Sequence, residues 1–513
     1  MSEHQAIGSA GPVRARRREW IGLLVIALPC LLYSMDLTVL NLAVPALSAD
    51  LQPSATQLLW IIDVYGFMVA GALITMGTLG DRIGRRRLLL IGAGAFGVTS
   101  ILAAYSTSAE MLIVTRALLG LAGATIAPST LSLIRNMFHD PAQRTVAIGI
   151  WVSSYSAGAA IGPLVGGLLL EYFWWGSVFL LSVPVMVLLL VLGPMLLPEF
   201  RDPQAGRLDL PSAALSLAAI LPVIYGLKQI AVEGPGWAPI VVILVGVAAG
   251  IAFVRRQRTA ASPLIDLDLF RRPAFNSALA VYTLATFVAF GAFVFIAQYM
   301  QLVLGMSPLR AGLWTVPFAA AFILGSMTAP ALTRRIAPAR LITLGLCLSA
   351  VGFGLIALVD GDRALAILVT GFFVYSLGLA PVFTLATDVI IGNAPPERAG
   401  AAAALSETGS EFGGALGIAI LGSVGTAMYR SELGAEARHG VTQSAWETAR
   451  ETLGAAIEVA QSLPAEAGRQ LLLAAREAFA TTLHLTGLVA ALLVLATAVV
   501  AWLLLGRPRS TQR

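Results

Sequence analysis

Apolar runs of about 20 residues or more recur along this chain, and they restrict its possible folds more than any other feature. Each run is long enough to cross the roughly 30 Å hydrocarbon core of a bilayer as a helix. Fourteen runs can be delimited, at 21–46, 56–79, 88–105, 111–134, 145–170, 177–197, 210–229, 238–254, 275–302, 310–331, 339–358, 364–391, 399–427 and 480–505. The sequence therefore predicts an all-α polytopic membrane protein with fourteen transmembrane helices.

The composition supports this class. Of the 513 residues, 58% are hydrophobic and only 12% are charged, which is about half the charged fraction of a typical soluble protein. The net charge is +5, but the arginines lie in short segments between apolar runs and form no continuous basic face, so nucleic acid is not an expected partner. Cys30 and Cys347 both lie within apolar runs, so no disulfide framework is predicted.

The arginines also predict the orientation of the chain. With a cytoplasmic N-terminus, they fall mainly in the loops after even-numbered helices, while acids occupy the short loops on the other side. This pattern predicts a multi-pass protein with a cytoplasmic N-terminal segment 1–20 and a cytoplasmic tail 507–513. The near absence of lysine beside abundant arginine and alanine suggests a bacterial genome, so the bacterial cell (inner) membrane is the expected location. The first apolar run is too long for a signal peptide, so we expect it to be an uncleaved spanning helix.

One outer connection is long and polar. Residues 428–478 favour helix, and Pro464 is a natural break within them. We expect an extracellular helical hairpin that packs over the mouth of the pore.

The loop between the second and third runs has the sequence GTLGDRIGRRR, from Gly77 to Arg87. Its glycines permit a tight turn and close helix approach, and its acid lies among arginines. A charged turn that sets topology would explain it, but the spacing resembles the signature loop of the major facilitator superfamily. The resemblance implies a cytoplasmic gate built from Gly77, Asp81, Arg82, Gly84 and Arg85.

Three further segments resemble motifs that the superfamily carries on its first, fourth and fifth helices. The fourth helix has LIVTRALLGLAGA, with Arg116 as the buried arginine, which the resemblance places near the first-helix acid. The family's usual glutamine is Leu119 here, so that polar partner of Arg116 is expected to be missing. The first-helix motif of fourteen-span drug:proton antiporters is DLTVLNLAVP, which starts at Asp36. The fifth-helix motif that marks antiporters is GAAIGPLVGG, with Gly158, Gly162, Pro163, Gly166 and Gly167.

Nearly the whole chain resembles the quaternary-ammonium-compound efflux pumps within that family. The resemblance implies a major facilitator fold of two six-helix bundles, at 21–200 and 259–506, with two inserted helices within 201–258. A substrate site would lie near the midplane between the bundles. The proton gradient would drive transport without a cofactor. Protons, small lipophilic cations and membrane lipid are the expected partners, and the protein is expected to be a monomer.

Charged groups within the apolar runs mark the candidate site, because they are costly at membrane depth and usually line pathways. The candidates for proton coupling and substrate binding are Asp36, Asp63, Arg116, Glu407 and Glu411. Glu407 and Glu411 share one helix face, where two acids are not expected to ionise together, so their proton equilibria would be coupled. Asp388 lies near the end of its run, where a helix-end role is at least as well supported.

Aromatic residues predict the rest of the pocket, because a carboxylate between aromatic faces suits a lipophilic cation. Tyr33 lies one turn from Asp36 and Trp60 one turn from Asp63, while Trp151 and Tyr155 share a stripe with the glycines of the fifth helix. Phe290 belongs to an aromatic-rich ninth helix. Core packing or contact with lipid remains an alternative for each ring, and an interfacial position is an alternative for Trp60.

These features together predict a proton-coupled antiporter that exports lipophilic mono- and divalent cationic drugs, such as dyes, quaternary ammonium compounds and biguanides, by alternating access. An enzyme is not expected, since the four histidines form no metal-binding motif and no nucleotide-binding loop follows a strand. Fold does not fix substrate or direction. An exporter or importer of an endogenous metabolite or lipid therefore remains an alternative.

Overall fold

The computed structural model describes residues 14–53, 55–201, 209–233, 236–260, 263–265, 267–433 and 441–505. All regular structure in these ranges is helical, and fourteen helices are long and apolar enough to cross a membrane. This confirms the predicted fold class and span count. Most of the predicted N-terminal segment and all of the predicted tail lie outside the described residues.

The spanning helices are labelled in chain order, and shorter helices carry no label. They are α1 Arg17–Leu51, α2 Ala55–Ile83, α3 Arg85–Ala104, α4 Ala109–Met137, α5 Pro141–Tyr172, α6 Ser177–Leu196, α7 Leu210–Glu233, α8 Trp237–Gln257, α9 Pro273–Gln298, α10 Arg310–Leu332, α11 Pro338–Ile356, α12 Ala364–Asn393, α13 Ala399–Glu432 and α14 Ala465–Leu505.

Local sequence signals explain where several helices begin. The Asp140 carboxylate accepts a hydrogen bond from the backbone of Ala142, and Pro141 occupies the first turn of α5, where a missing N–H costs nothing. The Ser108 hydroxyl likewise accepts from the backbone of Met111 at the start of α4. These caps therefore fix the first residues of α4 and α5.

Two large apolar cores hold the helices together. One is built mainly from α1 to α6, for example around Leu23 and Phe96, and the other from α9 to α14, for example around Phe353. The first core also includes Ile390 of α12 and Ala402 of α13. The two halves are therefore joined by apolar packing near the ends of α12 and α13 that face the loop carrying Arg85. We call this side of the bundle the arginine-rich end.

The inserted helices α7 and α8 pack on one another and, through α7, on both halves. Leu221 of α7 lies against Gly71 of α2, and Val223 of α7 packs with Ala419 of α13. At the arginine-rich end, Arg256 at the end of α8 pairs with Asp209 just before α7, with 2.8 Å between Nη2 and Oδ1. Hydrogen bonds from Arg256 lower the pKa of Asp209 to about 2, so this tether between the inserted helices persists at any physiological pH.

The polar connection before α14 contains two short helices, Gln443–Ala449 and Leu453–Ser462, and α14 begins directly after Pro464. The Tyr429 hydroxyl at the end of α13 donates to the carbonyl of Ala449 at 3.1 Å. Arg476 of α14 donates to the carbonyl of Leu302, just beyond α9. These described contacts attach the segment to α9, α13 and α14, and its placement over the pore mouth stays a prediction. Part of it, 434–440, lies outside the described residues.

Candidate functional site

A central cavity lies between the two halves, with about 1050 Å³ of unfilled space that is partly continuous with the exterior. Helices α1 and α5 of one half and α9, α10, α12 and α13 of the other contribute its walls. The residues that line it are Tyr33, Ser34, Trp151, Val152, Tyr155, Ser156, Ala159, Tyr282, Ala289, Phe290, Phe318, Phe322, Tyr375, Leu379, Phe383, Glu407, Ser410 and Glu411. The lining is therefore largely aromatic, and its two charged groups are carboxylates.

The two carboxylates lie one turn apart on α13. Glu411 accepts a hydrogen bond from the Tyr33 hydroxyl of α1, with 3.3 Å between the oxygens. The Oε1 atom of Glu407 is buried and has no hydrogen-bond partner among the described residues. A buried polar atom without a partner is costly, so it marks a place where a proton or a ligand can bind.

Aromatic rings surround this pair on both sides. The ring of Tyr155 lies 4.8 Å from that of Trp151 and 5.7 Å from that of Tyr33, measured between centroids. On the opposite wall, Tyr282 and Phe383 stand 5.1 Å apart. The negative faces of such rings attract cations in a site from which water is largely excluded.

Four of the five residues predicted to form the aromatic pocket line this cavity: Tyr33, Trp151, Tyr155 and Phe290. Trp60 does not, and the prediction that it belongs to this pocket is corrected. It is 40% exposed and its ring stacks on Tyr225 of α7, with Phe67 edge-on beside them. The inserted helix α7 thus provides the ring on which Trp60 stacks, in place of the central cavity. The packing of α7 on α2 could not be derived from helical spacing on α2.

Asp63 and Asp36 also lie away from the central cavity. Asp63 is partly buried on α2, one turn from Trp60. Asp36 pairs with Arg116, with 3.2 Å between Oδ2 and Nη1, beside a small separate cavity between α1, α3 and α6. The five charged candidates therefore do not form one cluster. Glu407 and Glu411 line the central cavity, Asp36 lies with Arg116, and Asp63 lies elsewhere on α2.

Arg116 has polar partners despite the leucine at position 119. Its Nε donates to the carbonyl of Ile61 at 2.6 Å, and the guanidinium lies over the ring of Tyr65 at 5.2 Å. The side chain is 1% exposed. The Ile61 carbonyl and Asp36 therefore supply polar partners of Arg116 without the family's glutamine, and the pairing with Asp36 agrees with the proximity to the first-helix acid that the resemblance implies.

The arginine-rich end is closed by direct contact between the halves. A methyl group on Gly77 of α2 would stand only 2.7 Å from the carbonyl oxygen of Gly400 on α13. Arg85, which is fully buried, pairs with Asp81 and donates to the carbonyl of Gly77 at 2.7 Å. A methyl group on Gly400 would collide with the Arg85 guanidinium. The predicted gate residues thus lie where α2 meets α13.

Gly84 occupies the turn in this loop with a φ of 112°, a conformation that favours glycine. The carboxylate of Glu199, at the end of α6, accepts hydrogen bonds from the backbone of Arg86 and Arg87 at the start of α3. Arg82 is partly buried in the same loop. Glu199 was not predicted, since it lies in a short inter-helix segment with no motif.

The sequence profile of the Major Facilitator Superfamily matches residues 26–418. The chain belongs to the major facilitator superfamily. It is 45% identical to the multidrug efflux pump LfrA of Mycolicibacterium smegmatis, over 96% of this chain and 97% of that protein. It is 37% identical to the methyl viologen resistance protein SmvA of Salmonella typhimurium, over 90% and 93% of the two chains. The crystal structure of the human organic anion transporter MFSD10 covers 93% of this chain and 99% of its own, with a TM-score of 0.56 and 17% identity, a likeness that shows the fold alone.

The glycines of the fifth-helix motif differ in their surroundings within this major facilitator fold. A methyl group on Gly158 would collide with the carbonyl of Leu31 on α1, and one on Gly166 would stand 2.7 Å from Val39. One on Gly167 would meet nothing within 4 Å. Gly162 is buried, and the side chain of Pro163 is not among those that the structure describes. Gly158 and Gly166 therefore allow α5 to pack closely on α1, whereas Gly167 takes no part in this contact.

A second contact between the halves was missed. Arg144 at the start of α5 pairs with Asp388 near the end of α12 at 2.7 Å, and the Thr145 hydroxyl donates to the same carboxylate at 2.8 Å. The sequence supports a helix-end role for Asp388 at least as well as a role in transport, and the structure shows an ion pair across the interface. Nothing in the sequence relates these two helix ends of a major facilitator protein, because Arg144 and Asp388 are 244 residues apart.

Much of the aromatic wall was also missed. Tyr282, Phe318, Phe322, Tyr375 and Phe383 line the cavity beside the predicted rings. A usable signal existed for some of them. Phe318 and Phe322 are four residues apart on α10, and Tyr375 and Phe383 are eight apart on α12, so each pair shares one helix face.

Proposed function

We propose that this protein exports lipophilic cations, both monovalent and divalent, in exchange for protons. The observation that carries the proposal is the pair Glu407 and Glu411 in a cavity whose other walls are mainly aromatic. Charge pairing with a carboxylate and contact with ring faces together select an apolar cation over a neutral or anionic solute. The names of LfrA and SmvA as efflux and resistance proteins support export as the direction.

Two carboxylates also suit a substrate with two positive charges. Methyl viologen, which SmvA is named for resisting, is a planar aromatic dication. Dyes, quaternary ammonium compounds and biguanides share the combination of positive charge and apolar surface. The proposed substrate class is therefore defined by chemistry and not by one compound.

Proton exchange follows from competition for the same oxygens. A cation bound between Glu407 and Glu411 favours their ionised forms, and a proton that binds afterwards weakens the hold on the cation. Tyr33 is the physical link to the second charged group, because it contacts Glu411 and lies one turn from Asp36 on α1. A change at Glu411 would be transmitted along α1 to the pair of Asp36 with Arg116.

Alternating access would use the contacts at the arginine-rich end. The structure is closed there, at Gly77 against Gly400 and at Arg144 with Asp388. In the proposed cycle these contacts open to admit the cation from the cytoplasm and close before its release. The proposal places the protein in the bacterial inner membrane with both termini in the cytoplasm.

Efflux of ethidium from bacteria that overproduce the protein tests the function directly. We expect dye to leave faster than from cells with an empty vector, and a protonophore to abolish the difference. In everted vesicles, an imposed pH gradient should drive uptake of ethidium but not of a neutral sugar. Efflux that survives the protonophore would contradict proton coupling, and equal movement of the sugar would contradict cation selection.

A further inference from the structure

A second pocket lies near the end of the bundle opposite the arginine-rich end, beneath the two short helices. It contains about 610 Å³ of unfilled space, part of it open to solvent. Helices α9, α13 and α14 and the turn between the short helices form its walls. The residues that line it are Val294, Phe295, Gln298, Ile418, Gly422, Gly425, Thr426, Tyr429, Glu451, Thr452, Leu453 and Phe479.

This pocket and the central cavity share one face of α13. Two residues of the central cavity, one glycine beneath Phe290 and four residues of the second pocket follow one another along α13. They are Glu407, Glu411, Gly414, Ile418, Gly422, Gly425 and Tyr429, and successive members are three or four residues apart. Such steps keep side chains on one stripe of a helix. The stripe that bears the two carboxylates therefore continues directly into the second pocket.

Helix α9 repeats this arrangement on the opposite wall. Phe290 lines the central cavity, while Val294 and Gln298, four and eight residues later, line the second pocket. The ring of Phe290 lies over Gly414, since a methyl group there would stand 3.5 Å from it. Phe290 is 54% exposed. One half-exposed ring thus stands at the boundary between the two spaces.

The chemistry of the second pocket resembles that of the first. Of the described residues that line it, Glu451 alone is charged, and Phe295, Tyr429 and Phe479 supply rings. The nearby guanidinium groups bind backbone carbonyls: Arg450 donates to Arg430 at 2.9 Å and Arg476 to Leu302 at 3.1 Å. The pocket therefore combines an acid with aromatic walls, which suits an apolar cation.

We propose that this pocket is a second binding site for lipophilic cations, which they reach from the central cavity along the faces of α9 and α13 that line both spaces. Phe290 separates the two sites, and Glu451 and the three rings hold the cation before its release. The inference rests on the proposed function, because it assumes that the central cavity carries such cations.

Gly422→Leu tests the pocket by filling it. A methyl group at this position meets nothing within 4 Å, so a leucine side chain here begins in open space on the wall of the pocket. Gly354→Leu on α11 is the matched control, since that glycine also has nothing within 4 Å and lies outside both cavities. Glu451→Gln removes the charge from an exposed position and provides a second variant if Gly422→Leu fails to fold.

Binding of tetraphenylphosphonium to the purified full-length protein in lipid nanodiscs, measured by equilibrium dialysis, counts the sites. We expect two per molecule in the wild type and in Gly354→Leu, and one in Gly422→Leu. In Glu451→Gln the weaker site should lose about fivefold in affinity, as for loss of one partly solvated charge pair. Efflux of the same cation from cells should slow about threefold in Gly422→Leu, within the range for one altered binding step.

Two results would overturn the inference while leaving the proposed function intact. One is a single site in the wild type that Glu407→Gln with Glu411→Gln abolishes. The other is a stoichiometry and efflux rate in Gly422→Leu and Glu451→Gln equal to those of the control, as expected if lipid fills the pocket. A wild-type protein that neither binds nor exports tetraphenylphosphonium would contradict the proposed function itself.

Discussion

The hydroxyl of Tyr33 on α1 donates a hydrogen bond to the carboxylate of Glu411 on α13, with 3.3 Å between the two oxygens. This bond joins the two halves of the bundle inside the central cavity. Asp36, one turn further along α1, pairs with Arg116 in a separate cavity. A single helix therefore connects both of the charged groups that the proposed exchange requires.

Replacement of Tyr33 by phenylalanine removes this bond and preserves the ring. We expect ethidium efflux to fall about fivefold at equal expression, the size expected for one hydrogen bond of about 1 kcal/mol. Tyr172→Phe is the control, because that tyrosine is 69% exposed at the end of α5. Equal efflux rates for the two variants would show that the bond has no role in transport.

Replacement of Glu407 and Glu411 by glutamine removes the two charges from the cavity. We expect the double variant to lose transport of a divalent dye by at least about a hundredfold, and each single variant to lose less for a monovalent dye. The pH profile of transport should also change. Glu466→Gln, at an exposed site near the start of α14, is the control. A double variant with wild-type rates for both dyes and an unchanged pH profile would remove the pair from the mechanism.

Gly77→Ala should prevent closure of the arginine-rich end. Its methyl group would press on the carbonyl of Gly400 and on Ala404, and we expect efflux to fall about tenfold. Gly66→Ala on the same helix is a matched control, since nothing lies within 4 Å of a methyl group there. Equal loss in both variants would indicate a general effect on α2 and not a block at the interface.

The pair of Arg144 and Asp388 should stabilise the same closed state. We expect Asp388→Arg to lower efflux about tenfold, because it places two cations together in a partly buried contact. The exchanged pair, Arg144→Asp with Asp388→Arg, should recover part of that loss. An exchanged pair as inactive as the single variant would show that the contribution is not electrostatic.

Cysteine labelling tests the predicted orientation. In a protein with Cys347 replaced by alanine, Arg87→Cys should react with an impermeant maleimide only from the cytoplasmic side. Glu447→Cys should react only from the outside, because the two exposed side chains lie at opposite ends of the bundle. Labelling of both from the same side would contradict the orientation. The Cys347→Ala protein without an introduced cysteine provides the background signal.

The class of fold, the number of spans and several residues of the cavity could be predicted from the sequence alone. Apolar length decides whether a helix can cross a bilayer, and this property is local, so all fourteen spans could be delimited before their packing was known. The shared face of Glu407 and Glu411 is equally local, since helical spacing alone puts one above the other.

Which groups on different helices meet could be learned only from the packed bundle. Trp60 and Tyr33 each lie one turn from an acid, yet the first stacks on the inserted helix α7 and the second enters the cavity. The pairing of Arg144 with Asp388 and the partners of Arg116 were also decided there. Helical periodicity assigns a residue to a face, whereas its neighbour depends on how two helices rotate and cross, which is set by packing along their whole length.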